Sequence, residues 1–130
     1  STKGRMEVFH TAEALKEAGV SAGIFIHSSK LRAKQTAEIL QATLNPDANL
    51  EEKHFLSPDD PVDKIAADIE KAKENLLIAG HMPFLAVLVE RLVLPEDRPQ
   101  PVGFATGGAV VLKREGRRWR IEKIVGKKIL

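Results

Sequence analysis

Two short segments contain residue types that bind phosphate: residues 28–37 (SSKLRAKQTA) and residues 80–83 (GHMP). Each follows an apolar run typical of a buried strand, and each begins a predicted helix. In an open α/β sheet, ligands bind in the crevice beyond the carboxyl ends of the strands. Arg32 and His81, 49 positions apart in the sequence, are therefore expected to meet at one edge of the sheet. A guanidinium and an imidazole that converge in this way suit a phosphoryl group.

The chemistry of both residues fits that ligand. Arg32 is expected in the first turn of a helix, where its planar guanidinium can fork onto phosphate oxygens and the helix dipole also favours an anion. His81 follows Gly80, which permits close backbone approach, and its imidazole can donate a hydrogen bond to a phosphoryl oxygen. Taken singly, a first-turn arginine is usually a solvated charge, and a histidine beside Pro83 is often a packed turn residue. Their equivalent positions after two strands favour a shared anion site.

Three more polar residues lie near the predicted site. Ser28 precedes the helix of Arg32, so it is a candidate for substrate binding as well as for the helix cap. Thr106 can reach the pocket from its loop, although capping that loop is the plainer role. His27 ends a strand near the pocket, and the simpler interpretation is that it does not touch the ligand.

The remaining charges have simple interpretations. Lys30 and Lys34 can widen the positive field around the site, but solvated helix charges are the default. His10 and His54 show no metal-ligand spacing, so neither a metal nor another cofactor is expected.

Strands and helices alternate along the chain, which predicts an α/β fold with a C-terminal β-hairpin. The predicted helices span residues 3–18, 30–44, 61–72 and 82–94. The predicted strands span residues 23–26, 50–55, 76–79, 109–112 and 119–125, and a loop covers 95–101.

Apolar spacing and cap residues predict further details of the helices. Met6, Phe9 and Leu15 recur near a 3.6-residue period and are expected to face the core from the first helix, which Gly19 ends. Asp60 is expected as the N-cap of the third helix, with Pro61 at its first helical position.

Composition limits the class of protein. The 130 residues suit one domain, 1–130, and 43% hydrophobic with 29% charged residues is ordinary for a globular chain. A net charge of +2 is too small to indicate a nucleic-acid partner, and no stretch approaches the roughly 20 apolar residues of a membrane span. The chain has no cysteine and no visible signal peptide, so we expect a cytoplasmic protein without disulfides.

The pattern S-S-x-L-R-A-x-Q-T-A of residues 28–37 resembles the second signature of the histidine phosphatase superfamily, which has the phosphoglycerate-mutase-like fold. Residues 80–83 resemble the later histidine motif of that family, and residues 1–5 (STKGR) are similar to the entry into its first helix. Residues 56–60 (LSPDD) and 106–108 (TGG) are similar to segments of the compact SixA-type phosphohistidine phosphatases. The resemblance implies a three-layer α/β/α fold whose sheet is mostly parallel.

One departure from the family pattern concerns the nucleophile. Members of the family begin with a strand that ends in Arg-His-Gly, and its histidine takes the phosphoryl group. In these 130 residues, no histidine is directly preceded by an arginine. The family pattern places that strand between residues 24–27 and 76–79, so we expect a slot in the sheet there and a chain that is a fragment. Losing a nucleophile costs on the order of a millionfold in rate, so the chain by itself is expected to be inactive.

The resemblance implies a two-step phosphoryl transfer in the intact protein: the histidine attacks phosphorus, and water then hydrolyses the phosphoenzyme. Arg32 and His81 would hold the phosphoryl oxygens as catalytic residues. No convincing general acid is present, which favours phosphohistidine in a protein as substrate, because imidazole leaves more easily than an alkoxide. Open alternatives are a phosphatase of a small phosphoester and a non-catalytic phosphate- or phosphopeptide-binding module. An RNA-binding role for the basic hairpin ranks last.

Overall fold

A five-stranded sheet with helices on both faces forms the framework of the protein. The computed structural model describes residues 2–54, 61–81, 84–97 and 108–125. The helices in these ranges are α1 (Thr2–Glu17), α2 (Leu31–Leu44), α3 (Val62–Glu70), α4 (Phe84–Leu92) and a short 3₁₀ helix (Pro95–Asp97). The strands are β1 (Ile24–His27), β2 (Asn49–Glu52), β3 (Leu76–Gly80), β4 (Gly108–Glu115) and β5 (Arg118–Val125). The α/β fold class predicted from the sequence is confirmed.

The strand order is β2-β1-β3-β4-β5. The two pairs β2–β1 and β1–β3 are parallel, and the two pairs β3–β4 and β4–β5 are antiparallel, so the sheet is mixed. Gly116, with φ of +63°, lies in the two-residue connection from β4 to β5, where a hairpin turn favours glycine. The predicted hairpin is therefore present.

The slot expected between the two inner strands is absent from this structure. β1 and β3 are hydrogen-bonded parallel neighbours, with Ile24 opposite Leu76 and His27 opposite Ala79. Because facing backbone groups of buried strands need hydrogen-bond partners, direct pairing of β1 with β3 satisfies both edges. The prediction of a double-width gap was wrong for the chain as it stands.

Two hydrophobic cores lie on opposite faces of the sheet. Alternate residues of β3 belong to different cores, as the two-residue period of a strand requires: Leu76 and Ile78 pack with α3 and α4, while Leu77 and Ala79 pack with α1 and α2. All five residues of β3 are buried, because helices cover both of its sides. This arrangement gives three layers, α/β/α.

Helix α1 buries a narrower stripe than its apolar residues predicted. Ala12 and Leu15 are buried and Val8 packs against the same core, but Met6 is 52% and Phe9 is 45% exposed. α1 packs mainly against α2, so only the side chains that face α2 are buried. The prediction that Met6 and Phe9 face the core was wrong.

Two boundary predictions also shift. Pro61 has φ of −70° and ψ of 128°, so it is the N-cap of α3 and not its first helical residue, and Asp60 lies outside the described residues. The first strand begins at Ile24, one residue later than expected. In the described ranges, no helix is long and apolar enough to cross a membrane.

Candidate functional site

The candidate site lies where β1 and β3 end side by side. The backbone N–H of Ser28 donates to the carbonyl of Ala79 at 3.2 Å, so the chain leaving β1 stays beside the end of β3. His81 follows β3 directly, and α2 begins three residues after Ser28 with Arg32 as its second residue. The parallel register therefore directs Arg32 and His81 to the same edge of the sheet.

The electrostatics of His81 show that cations from α2 act on its ring. Burial lowers the pKa of His81, and the positive charges of Lys30 and then Arg32 lower it further. Both of these charged groups are cations, and no described carboxylate acts on this pKa. The charge of Arg32 thus acts on the ring of His81, and their joint binding of a ligand stays a prediction.

One ring nitrogen of His81 has no partner in the described part of the chain. Its Nε2 atom is buried and makes no hydrogen bond there. An unsatisfied buried polar atom costs about 1–3 kcal/mol, which a ligand atom at hydrogen-bond distance would offset. Because the nearby charges of Lys30 and Arg32 are positive, the ligand atom best suited to this nitrogen is an acceptor oxygen that carries negative charge.

The start of α2 is positively charged, and no carboxylate of the described residues neutralises these charges. Lys30, Arg32 and Lys34 are exposed, and none of them pairs with a carboxylate of the described residues. The first turn of the helix contains no acidic residue. Together with the helix dipole, the charges of Lys30 and Arg32, which also lower the pKa of His81, favour an anion at the N-terminus of α2.

Ser28 and His27 form the turn that positions these cations. Ser28 is 2% exposed, and its Oγ accepts a hydrogen bond from the backbone N–H of Lys30 at 3.3 Å. His27 is also buried, and its Nδ1 lies 2.7 Å from the carbonyl oxygen of Ser28. The N-cap of α2 is Lys30, not a serine, and it makes no side-chain cap bond. Ser28 therefore has a structural role in the turn, whatever its contact with a ligand.

Other predicted participants are engaged elsewhere or lie outside the described residues. Thr106 belongs to the latter group, as do Met82 and Pro83 of the histidine motif. Among the described carboxylates, Glu51 in β2 has its Oε1 3.5 Å from Nζ of Lys53. Among the described residues, no group of three or more histidine and acidic side chains could hold a metal ion.

Lys30 is the residue that sequence reasoning undervalued. Its charge affects the pKa of His81 more than the charge of Arg32 does, although a solvated role was the default interpretation. The available signal was its place in the chain, between a strand end and a helix start, two residues before the predicted anion ligand.

Comparison with solved structures identifies proteins that have a similar fold. No protein-family model matches the sequence, and no curated protein matches it. The protein histidine phosphatase SixA in complex with tungstate superposes with a TM-score of 0.72 at 25% identity, over 95% of this chain and 80% of that one. A SixA protein from Agrobacterium tumefaciens, for which phosphohistidine phosphatase activity is proposed, gives a TM-score of 0.69 at 17% identity over the same shares of the two chains. The chain thus has the fold of the SixA-type histidine phosphatases and is similar to them over 95% of its length.

Proposed function

We propose that this chain supplies the phosphoryl-binding residues of a phosphatase that acts through a phosphohistidine intermediate, with phosphohistidine in a protein as its substrate. Arg32 and His81 hold the phosphoryl oxygens. The proposal rests on two groups at one edge of the sheet: the buried Nε2 of His81, which has no hydrogen-bond partner among the described residues, and Arg32, which has no carboxylate partner among them. The similar SixA protein that was solved with tungstate, a tetrahedral oxyanion, supports the same ligand class.

The division of roles follows from the chemistry of the groups. The guanidinium binds two oxygens at once, and such charge-assisted bonds are about twice as strong as neutral ones. The imidazole donates to a further oxygen on which charge accumulates in the transition state. With its pKa lowered by burial and cations, His81 is neutral near pH 7 and has an N–H to donate without adding a third full charge.

The preference for phosphohistidine rests on the lack of a general acid among the described residues. No described carboxylate acts on the pKa of His81, and Glu51 lies beside Lys53. An alkoxide leaving group needs a proton from a general acid, whereas an imidazole needs less assistance. We therefore expect turnover of phosphohistidine to exceed turnover of phosphoserine in a protein that carries both this site and a nucleophile. Equal turnover of the two would favour a small-phosphoester phosphatase instead.

The first experiment measures tungstate binding to the chain by isothermal titration calorimetry. Arg32→Ala and His81→Ala are each expected to raise Kd by about 10- to 100-fold, because hydrogen bonds to charged groups contribute about 1.5–3 kcal/mol. Arg117→Ala is the matched control: Arg117 is exposed and lies in the β4–β5 turn, at the opposite edge of the sheet. Unchanged affinity in Arg32→Ala would overturn the proposal.

A non-catalytic phosphate- or phosphopeptide-binding module is the second candidate. It applies if the intact protein, like these 130 residues, has Arg32 and His81 and no Arg-His-Gly triplet. The two candidates agree on tungstate binding and differ in turnover. The coding sequence upstream of Ser1 distinguishes them, because an apolar strand ending in Arg-His-Gly would supply the nucleophile.

A further inference from the structure

Lys30 has an unusual position for a surface lysine. It is the N-cap of α2, with φ of −73° and ψ of 138°, and its backbone N–H donates to the Oγ of buried Ser28 at 3.3 Å. Its carbonyl accepts from the N–H of Lys34 at 3.1 Å, which is the first bond of the helix. The backbone of Lys30 is thus fixed at both of its polar groups, while its side chain is exposed.

The backbone of this turn brings Lys30 to the end of β3. Ser28 is bonded to Ala79, and His81 follows two residues after Ala79. Lys30 likewise lies two residues after Ser28, so the segments that leave β1 and β3 run side by side at this edge of the sheet. Its ammonium makes no ion pair with any described carboxylate, which leaves the charge available for a ligand.

We propose that Lys30 is a third ligand of the bound oxyanion, beside Arg32 and His81, and that it gives the site its preference for a dianion. This inference rests on the proposed function and assigns one more residue to it. An ammonium is a compact charge on a flexible stem with three donors, so it complements the rigid fork of a guanidinium. Two permanent cations can neutralise a dianionic phosphoryl group without requiring a proton on His81.

The electrostatic effect on His81 supports this arrangement. Burial of the ring is the larger cause of the lowered His81 pKa, and the positive charge of Lys30 adds to it. Lys34 lies one helical turn further along α2 and has the same charge, but Lys30 and Arg32 are the cations that lower the pKa of His81. The contrast makes Lys34 the natural control for Lys30.

The test compares Lys30→Met with Lys34→Met, two substitutions that remove one charge each and keep an unbranched side chain. We expect Lys30→Met to raise the Kd for tungstate about tenfold and Lys34→Met to change it less than twofold. In the free protein, the NMR titration of the His81 ring should show a higher pKa in Lys30→Met only. Lys30→Arg should recover most of the tungstate affinity, which a purely structural role of Lys30 would not require.

The outcomes separate this inference from the proposed function. If Lys30→Met binds tungstate as Lys34→Met does while Arg32→Ala loses binding, Lys30 is not a ligand and the oxyanion site stands without it. If Arg32→Ala also binds normally, the proposed function falls and the assignment of Lys30 falls with it. Circular dichroism of Lys30→Met should match the wild type, and Lys30→Gln provides a second neutral variant if it does not.

Discussion

At the scale of single residues, the imidazole of His81 couples the site to protons. The ring is partly buried beside Lys30 and Arg32, so its protonated form is disfavoured in the folded protein and its pKa is lowered. Binding of an oxyanion would reverse part of this effect, because a negative charge at hydrogen-bond distance stabilises the imidazolium. His81 therefore responds both to pH and to ligand.

This coupling predicts a pH dependence of stability. The unfolded chain has the ordinary histidine pKa of 6.5 and binds the proton more readily than the folded state. The contribution of the neutral His81 ring to the free energy of unfolding is thus fully present above pH 6.5, and it is lost as the pH falls through the lower pKa of the folded state. In urea unfolding at pH 8 and pH 5, we expect the wild type to lose more free energy of unfolding than His81→Gln. Equal losses would show that burial of this ring is not coupled to folding.

The position of Arg32 and His81 at the same edge of the sheet could be predicted from the sequence because it depends only on strand ends. Two apolar runs, each followed by a polar turn and a helix, meet at one edge in any parallel arrangement. The role of Lys30 could not be predicted in this way. Its effect depends on where one flexible side chain lies relative to a ring on another strand, and residue spacing contains no such information.

At the scale of elements, the end of α1 shows how local sequence fixes local structure. Gly19 has φ of +78°, and its N–H donates to the carbonyl of Lys16 at 3.0 Å, while the N–H of Val20 donates to Leu15 at 3.0 Å. These two bonds satisfy carbonyls that the last helical turn leaves without partners. A glycine after an apolar stripe was sufficient to predict this end of the helix.

Replacement of Gly19 tests that geometry. A Cβ at Gly19 would meet nothing within 4 Å, so the cost of Gly19→Ala arises from the left-handed backbone alone. We expect about 1–2 kcal/mol lower stability in urea unfolding for Gly19→Ala. Gly19→Asn should lose less, since asparagine tolerates this conformation. If the alanine and asparagine variants are equally stable, backbone strain does not limit this position.

The faces of the elements were harder to predict than their existence. Spacing shows which residues share a side of a helix, but not how wide a neighbour covers it. Met6 and Phe9 repeat with the right period and still lie in solvent, because α1 packs mainly on α2. On β3, by contrast, every residue is apolar and every residue is buried, because the strand is covered from both sides.

At the scale of the whole molecule, β3 joins the two cores and carries His81 at its end. Leu77 belongs to the core of α1 and α2, and Ile78 belongs to the core of α3 and α4. The site therefore depends on both layers being packed. The direct pairing of β1 with β3 could not be predicted from the sequence. Parallel strands are joined by long crossover connections, so the local sequence does not show which strands are neighbours. The family resemblance suggested a slot, and backbone pairing across it is the alternative that satisfies both strands.

The last prediction concerns turnover by the chain as a whole. His27 has its Nδ1 2.7 Å from the Ser28 carbonyl oxygen, and none of the four histidines directly follows an arginine. We expect the 130-residue chain to bind a phosphohistidine peptide and to release no phosphate above the buffer rate, as phosphorus NMR over hours would record. Arg32→Ala should lose the binding. Phosphate release that disappears in Arg32→Ala would contradict this prediction and show that these 130 residues hydrolyse the peptide themselves.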